Sequence, residues 1–162
     1  MTLPATDGVV TLREVRAGDA ELLIAGRDDE FHRWMGDGSP DPRPTAVIEL
    51  AGDVVGWIDH DHDDRPWLTD GQCNVGYHVH APYRRRGTAT RAVRLLLRLL
   101  AQGERFTEAT FLIDAENEAS LRVARAVGAL ERERFPNADE RPQVLLVTRI
   151  DRGAEPNEPR PG

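Results

Sequence analysis

Hydrophobic and polar positions change period several times along the chain, and each change predicts an element. Residues 9–15, "VVTLREV", set Val10 and Leu12 between polar neighbours, with Glu14 continuing the alternation less cleanly, so a first strand is expected. "AGDAELLIAG" carries Leu22, Leu23 and Ala25 on a short helix ending near Gly26, and "EFHRWMGDG" predicts a second one, stopped by Gly36 and Gly38. A proline-rich connection, "SPDPRP", precedes "TAVIELAGDVVGWIDH", whose two β-rich runs flank Ala51, Gly52 and Asp53 and predict a hairpin. "DHDDRPWLTDG" is a polar loop, and "QCNVGYHVH" is a fourth strand closed by Ala81 and Pro82.

The period then lengthens. From Thr88 to Ala101, residues Ala92, Val93, Leu95, Leu96, Leu99 and Leu100 form an apolar face, while Arg91, Arg94 and Arg98 form one polar stripe. "EATFLID" predicts a fifth strand and "NEASLRVARAVG" a helix with Gly128 as its C-terminal stop. "ALERERF" and "QVLLVTRI" predict a closing antiparallel pair joined by "PNADERP", and the polar, Pro- and Gly-rich tail "DRGAEPNEPRPG" is expected to be disordered. Strand–helix–strand between Cys73 and Ile113 demands a parallel crossover, whereas the tight hairpins demand antiparallel pairing. The fold class that satisfies both is α+β: a mixed, mostly antiparallel sheet with helices on both faces.

Composition narrows the function classes. The 162 residues suffice for one sizeable core. With 21 basic and 28 acidic residues the net charge is -7, which disfavours a general nucleic-acid binder. Every basic residue is Arg and none is Lys, a bias expected of a GC-rich bacterial genome. Cys73 is the single cysteine, so no intrachain disulfide can form and a reducing compartment is expected. The N-terminus has no basic-then-apolar signal and no run reaches the roughly 18 apolar residues of a membrane span, so a cytoplasmic protein with no membrane partner is expected.

The charge is not spread evenly. "YRRRGTA" concentrates Arg84, Arg85 and Arg86 just before the apolar helix, where unpaired N–H groups and the helix dipole already favour an anion. Gly87 lets the backbone bend and approach a ligand, and Ala89 keeps the first turn open. A compact diphosphate fits this arrangement better than a long polyanion. It is neither a Walker loop nor a three-glycine dinucleotide fingerprint.

"RRRGTA", read as R-x-x-G-x-A between a strand and an apolar helix, resembles the acetyl-CoA pyrophosphate loop of the GCN5-related N-acetyltransferase (GNAT) family. Asn117, Ser120 and Gly128 in "NEASLRVARAVGA" resemble a second segment of that family. The opening "VVTLREVRAGDAELL" and "NVGYHVHAPYRRRGTATRA" are similar to the subgroup containing ribosomal-protein N-terminal acetyltransferases.

The resemblance implies a single acetyltransferase domain over residues 1–150, with 151–162 as the tail. It also implies a parallel splay between the fourth and fifth strands that admits the pantetheine arm. Acetyl-CoA would be the co-substrate, with no metal, and the other partner an amine acceptor, either a small molecule or a protein N-terminus. Monomer and homodimer both remain open. Tyr77, Val79, Arg84, Arg85, Arg86, Gly87, Thr88, Ala89, Asn117 and Ser120 would bind the coenzyme. A backbone N–H around Tyr77 to Val79 would face the carbonyl oxygen of the thioester.

The chain departs from the family pattern in two places. Ala124 stands where many relatives carry a proton-donating tyrosine, and the fourth strand offers Asn74, His78 and His80 in place of a basic glutamate. Ser120 resembles the serine proposed as the acid in the ribosomal-protein subgroup, and reads equally as a helix-packing or capping hydroxyl. His78 reads as a proton acceptor or as a packed strand residue. Asp114 reads as an attractor of a cationic amine or as a cap. Trp34, with Phe31 and His32, falls in the segment that shapes the acceptor pocket in relatives, and Trp57 and Trp67 are weaker candidates across the sheet. "DHDHDD" (residues 59–64) has metal-binding residue types but no helix to fix their geometry. Three classes follow: an N-acetyltransferase acting by direct attack in a ternary complex, a catalytically degenerate acyl-CoA sensor or regulatory module, and an Arg-rich nucleic-acid reader. Net charge and the lack of interleaved aromatics oppose the last.

Overall fold

The computed structural model describes residues 1–136 and 141–152. Eight strands form one sheet: β1 (Ala5–Thr6), β2 (Val10–Arg13), β3 (Ala46–Leu50), β4 (Asp53–Asp61), β5 (Gln72–Val79), β6 (Glu108–Asp114), β7 (Leu130–Pro136) and β8 (Pro142–Arg149). Four helices accompany them: α1 (Asp19–Ala25), α2 (Asp29–Met35), α3 (Thr88–Ala101) and α4 (Glu118–Ala126). The spatial order is β1-β2-β3-β4-β5-β6-β8-β7, with every neighbouring pair antiparallel except β5 and β6. The short β1 shifts the count by one, so the expected parallel splay lies between β5 and β6. The "PNADERP" connection falls largely, and the C-terminal tail almost wholly, outside the described residues.

The β3–β4 hairpin turns on Ala51 and Gly52, with φ of 49° and 87°, so both central residues take the left-handed conformation that a tight two-residue hairpin requires. β4 then runs to Asp61, because Asp59, His60 and Asp61 stay paired with Gly76, Val75 and Asn74. Half of "DHDHDD" is therefore strand, although its polarity predicts loop. At the other end of the sheet, the closing pair forms as expected, with β8 inserted between β6 and the edge strand β7.

Alternation along β5 divides the two faces of the sheet. Cys73, Val75 and Val79 join the core beneath α3, whose Ala92, Val93, Leu95, Leu96, Leu99 and Leu100 are all buried. Each such large aliphatic side chain contributes about 1.5–3 kcal/mol by leaving water. His78 and His80 face the opposite side, 6% and 8% exposed, with Phe31 of α2 packed edge-on to His78 at 4.8 Å. Arg13 of β2 is also buried, held by Asp19 of α1 at 2.7 Å and Glu49 of β3 at 2.5 Å, a tie that hydrophobic alternation does not reveal.

Gly26, the residue that ends α1, fixes how closely that helix approaches β5. Its φ of -81° suits any residue, but a Cβ there would stand 2.2 Å from His80 Nε2. Gly26→Ala should destabilise the fold by about 1–3 kcal/mol through overpacking. Combining it with His80→Ala should cost less than the sum of the single changes. Chemical denaturation of the four proteins measures that coupling, and strict additivity would refute the contact.

Candidate active site

Beyond Asn74 the two parallel strands part. Pairing is confined to Gln72, Cys73 and Asn74 against Glu108, Ala109 and Thr110, although both strands run on. On the other edge β5 stays paired with β4, and His80 N–H donates to Val55 O at 2.8 Å. By the alternation of an antiparallel ladder, the amides of Tyr77 and Val79 therefore point away from β4 into the gap.

The loop between β5 and α3 ends this gap. A short 3₁₀ turn (Ala81–Tyr83) comes first, after which Arg85 and Gly87 adopt φ of 60° and 75°. These left-handed residues bring successive amides round to one side, the geometry of an anion-binding concavity. The first intrahelical bond of α3 comes from Arg91 N–H to Gly87 O at 3.0 Å, leaving the amides of Thr88, Ala89 and Thr90 without acceptors among the described residues. A Cβ on Gly87 would meet nothing within 4 Å, so the space in front of the loop is open. Arg85 and Arg86 are exposed and make no ion pair among the described residues.

Arg84 has other partners. Its Nη1 and Nη2 grip Asp28 in a fork at 2.7 and 3.0 Å, Nη1 also reaches Glu30 at 2.7 Å, and Nε donates to Val79 O at 2.8 Å. Nη2 further contacts His78 Nε2 at 3.0 Å, and since a guanidinium only donates, that nitrogen accepts and the ring proton sits on Nδ1. Asp28 meanwhile caps α2 by accepting from Phe31 N–H at 3.0 Å. The Arg84 guanidinium holds the Asp28 carboxyl down at about 2. Burial and that same positive charge push His78 down to about 4. Arg84 thus braces α2 against the end of β5, which leaves Arg85 and Arg86 as the arginines of the run without an ion pair among the described residues.

Two cavities of about 410 Å³ each meet in the gap. The first runs from Arg85, Gly87, Thr88 and Ala89 past His78 and Val79 to the face of α4. The second is bounded by Phe111, Asp114, His32, Arg33, Arg141 and Gln143. Trp34, Met35, Tyr77, Asn117 and Ser120 line both. Asn117 is the N-cap of α4, its Oδ1 accepting from Ser120 N–H at 3.2 Å.

The residues matched by a family model for an acetyltransferase (GNAT) domain are 10–130, and they contain both cavities' shared lining. The chain belongs to the GNAT acetyltransferase family. Solved GNAT folds resemble it over most of its length. A GNAT-family acetyltransferase from Bacillus anthracis has a TM-score of 0.77 at 14% identity, covering 91% of this chain and 99% of that one. Aminoglycoside acetyltransferase AAC(6')-Ib in complex with coenzyme A and kanamycin gives 0.74 at 19%, covering 86% and 94%. Mycobacterium smegmatis RimJ in complex with CoA-disulfide gives 0.71 at 23%, covering 88% and 82%. No curated protein matches the sequence as a relative.

Within this GNAT fold the remaining expected residues find their places. Asp114 acts as the cap, its Oδ1 accepting from Glu116 N–H at 2.9 Å, while Oδ2 lies 3.6 Å from Arg141 and the residue borders the second cavity. His80 lines neither cavity, nor do Trp57 and Trp67. Burial pushes the Cys73 thiol up to about 12, which leaves it a packed apolar residue. Asp59 and His60 bond to Thr45, Asp61 pairs with Arg65, and His62 contacts Arg105. Arg91 pairs with Asp7 at 2.8 Å, and Arg94 donates to Ala126 O at 3.1 Å, away from the loop. The sequence reading missed Ala119, Arg122, Val123 and Ala126, which line the first cavity from α4. Their spacing of three and four residues from one another, which puts them on one helix face, was the available signal.

The His78 shift has a consequence for stability. A histidine held near 4 when folded and near 6.5 when unfolded binds more protons in the unfolded chain between those values. Its contribution is complete above pH 6.5 and is lost as pH falls toward 4, up to about 3 kcal/mol. His80 and His60, also lowered by burial, act in the same sense, whereas Asp28 and Asp7, held at about 2, lose theirs only below 3.8. Thermal melts from pH 7 to 4 should therefore show falling stability, with a shallower slope in His78→Gln; equal slopes would contradict the assignment.

Proposed function

We propose that the chain is an acetyl-CoA-dependent N-acetyltransferase that transfers the acetyl group to a primary amine of a small molecule or a protein N-terminus, with both substrates bound together. The observation that carries this reading is the meeting of two cavities through the gap between β5 and β6, at Tyr77, Asn117 and Ser120. One cavity begins at a concave row of amides, with Arg85 in its lining and Arg86 next to it in the loop, both without an ion pair among the described residues, which suits a diphosphate. Its length along β5 to α4 suits a pantetheine arm, so the residues present fit the coenzyme. AAC(6')-Ib and the microcin C7 self-immunity acetyltransferase MccE, solved with coenzyme A and with acetyl-CoA and AMP, support the same reading through their shared fold.

Bound acetyl-CoA supplies an electrophilic thioester carbonyl. Arg85, Arg86 and the amides of Thr88, Ala89 and Thr90 hold the pyrophosphate. Tyr77 and Val79 turn their backbone N–H groups toward the carbonyl oxygen, where charge builds as the amine attacks. Trp34 and Asp114 border the acceptor's path, and the acidic net charge favours a cationic acceptor. Two substrates held side by side account for a large part of the rate without a dedicated base.

Acetyl-CoA should raise the melting temperature in a dose-dependent way, and Gly87→Glu should abolish that rise by placing a bulky negative charge in the cradle. Thiol release with a panel of amines then separates catalysis from sensing: turnover with any amine supports the enzyme, and tight binding without turnover supports an acyl-CoA sensor.

The arginines allow a finer test by calorimetry. Arg85→Ala or Arg86→Ala should weaken coenzyme A about ten- to hundredfold, the range of a charged hydrogen bond, and leave dephosphorylated pantetheine unchanged. Arg94→Ala should do neither. Arg84→Ala should lower thermal stability and affect coenzyme A and pantetheine alike. Equal losses across all four variants would overturn this division of labour.

A further inference from the structure

Among the described residues, three buried polar atoms around the first cavity have no hydrogen-bond partner: Trp34 Nε1, Tyr77 Oη and His78 Nδ1. Leaving such a group unmade costs about 1–3 kcal/mol, so a ligand that completes it is the natural explanation. Tyr77 is distinctive because it lines both cavities, and because its hydroxyl lies beside Ser120 of α4. The Ser120 side chain is close enough to oppose the effect of burial on Tyr77, yet no hydrogen bond joins the two in the resting geometry. The pair lies beside the apolar side chains of Met35, Val79 and Val123, with Asn117 as the other polar residue that lines both cavities.

In the reaction proposed above, the amine enters from the second cavity, so the sulfur leaves toward the first, where the arm lies. The new C–N bond forms at the acetyl carbon, the C–S bond breaks with its electron pair on sulfur, and the proton lost by nitrogen passes to water. A thiolate is thereby generated at the junction, where a hydrogen-bond donor stabilises its charge. We propose that the Tyr77 hydroxyl is a catalytic group that donates a hydrogen bond to this departing thiolate, with Ser120 as the neighbour that orients it. Burial keeps the Tyr77 proton in place, pushing its pKa up to about 12, so the hydroxyl stabilises the sulfur without surrendering its own proton. Sulfur takes its proton from water as the product leaves.

This inference rests on the acetyltransferase reading, and the test separates the two. Tyr77→Phe deletes only the hydroxyl. Because that hydroxyl is unpartnered in the free protein, the melting temperature should stay the same or rise. The pKa of bound coenzyme A thiol, followed by the ultraviolet absorbance of the thiolate, should lie at least one unit lower in the wild type than in Tyr77→Phe. Desulfo-coenzyme A should bind both proteins equally, and kcat should fall about ten- to hundredfold with KM for acetyl-CoA within twofold. Ser120→Ala should shift the thiol pKa in the same direction by less. A thiol pKa unchanged by Tyr77→Phe would overturn the proposal while leaving the acetyltransferase reading intact. Failure of the wild type to bind either coenzyme would overturn both.

Discussion

Where β5 leaves β6 decides what the rest of the structure can do. A strand whose outer edge loses its partner while its inner edge stays paired leaves a row of amides and carbonyls unsatisfied. After Asn74 that row belongs to Val75, Tyr77 and Val79, with the Val79 carbonyl met by Arg84 Nε, whereas β4 still holds the intervening residues. The open edge is covered neither by another strand nor by the helix that follows, so it borders two cavities. Everything else at the site is arranged along this edge: the cradle at its far end, α4 on one flank, and α2 with Trp34 on the other.

An open edge of this kind would be useless if the elements flanking it drifted. Arg84 ties three of them together through Asp28, Glu30, His78 and Val79 O. Its guanidinium is only partly exposed, and a charge in that position is tolerated because each side of the fork meets an acceptor. The same residue that resembles a phosphate ligand in sequence is therefore a brace between the cradle and α2. Burial and its positive charge together keep His78 neutral, and its contact with Nε2 fixes which ring nitrogen carries the proton. With Nε2 occupied by Arg84, His78 cannot take a proton from a substrate through that nitrogen.

Much of the fold was legible because it rests on local period and chirality. The hairpin, the crossover helix and the closing pair follow from alternation, helical spacing and the handedness of parallel connections. The cradle was legible for the same reason, since Gly87 and the start of α3 are adjacent in sequence. What could not be read were the long-range polar ties. Arg13 with Asp19 and Glu49, and Arg84 with Asp28, join residues separated along the chain, and their residue types alone suit the surface equally well. The run of three arginines looked uniform, yet the loop's φ angles turn Arg84 inward and leave Arg85 and Arg86 outside.

The same distinction explains why the site lacks a tyrosine on α4. Ala124 is fully buried in the core and lines neither cavity. The face of α4 that borders the first cavity carries Ala119, Ser120, Arg122, Val123 and Ala126. A small residue at 124 lets that helix pack closely against the sheet, and no hydroxyl can then reach the junction from there. The space is met instead from across the gap by Tyr77, whose ring stands on β5 beside Ser120. A motif counted along one helix records this as a missing residue, but a cavity records only which atoms border it. The proposed chemistry calls for a polar hydrogen near the sulfur, and two strands that diverge give that requirement more than one element from which to be satisfied.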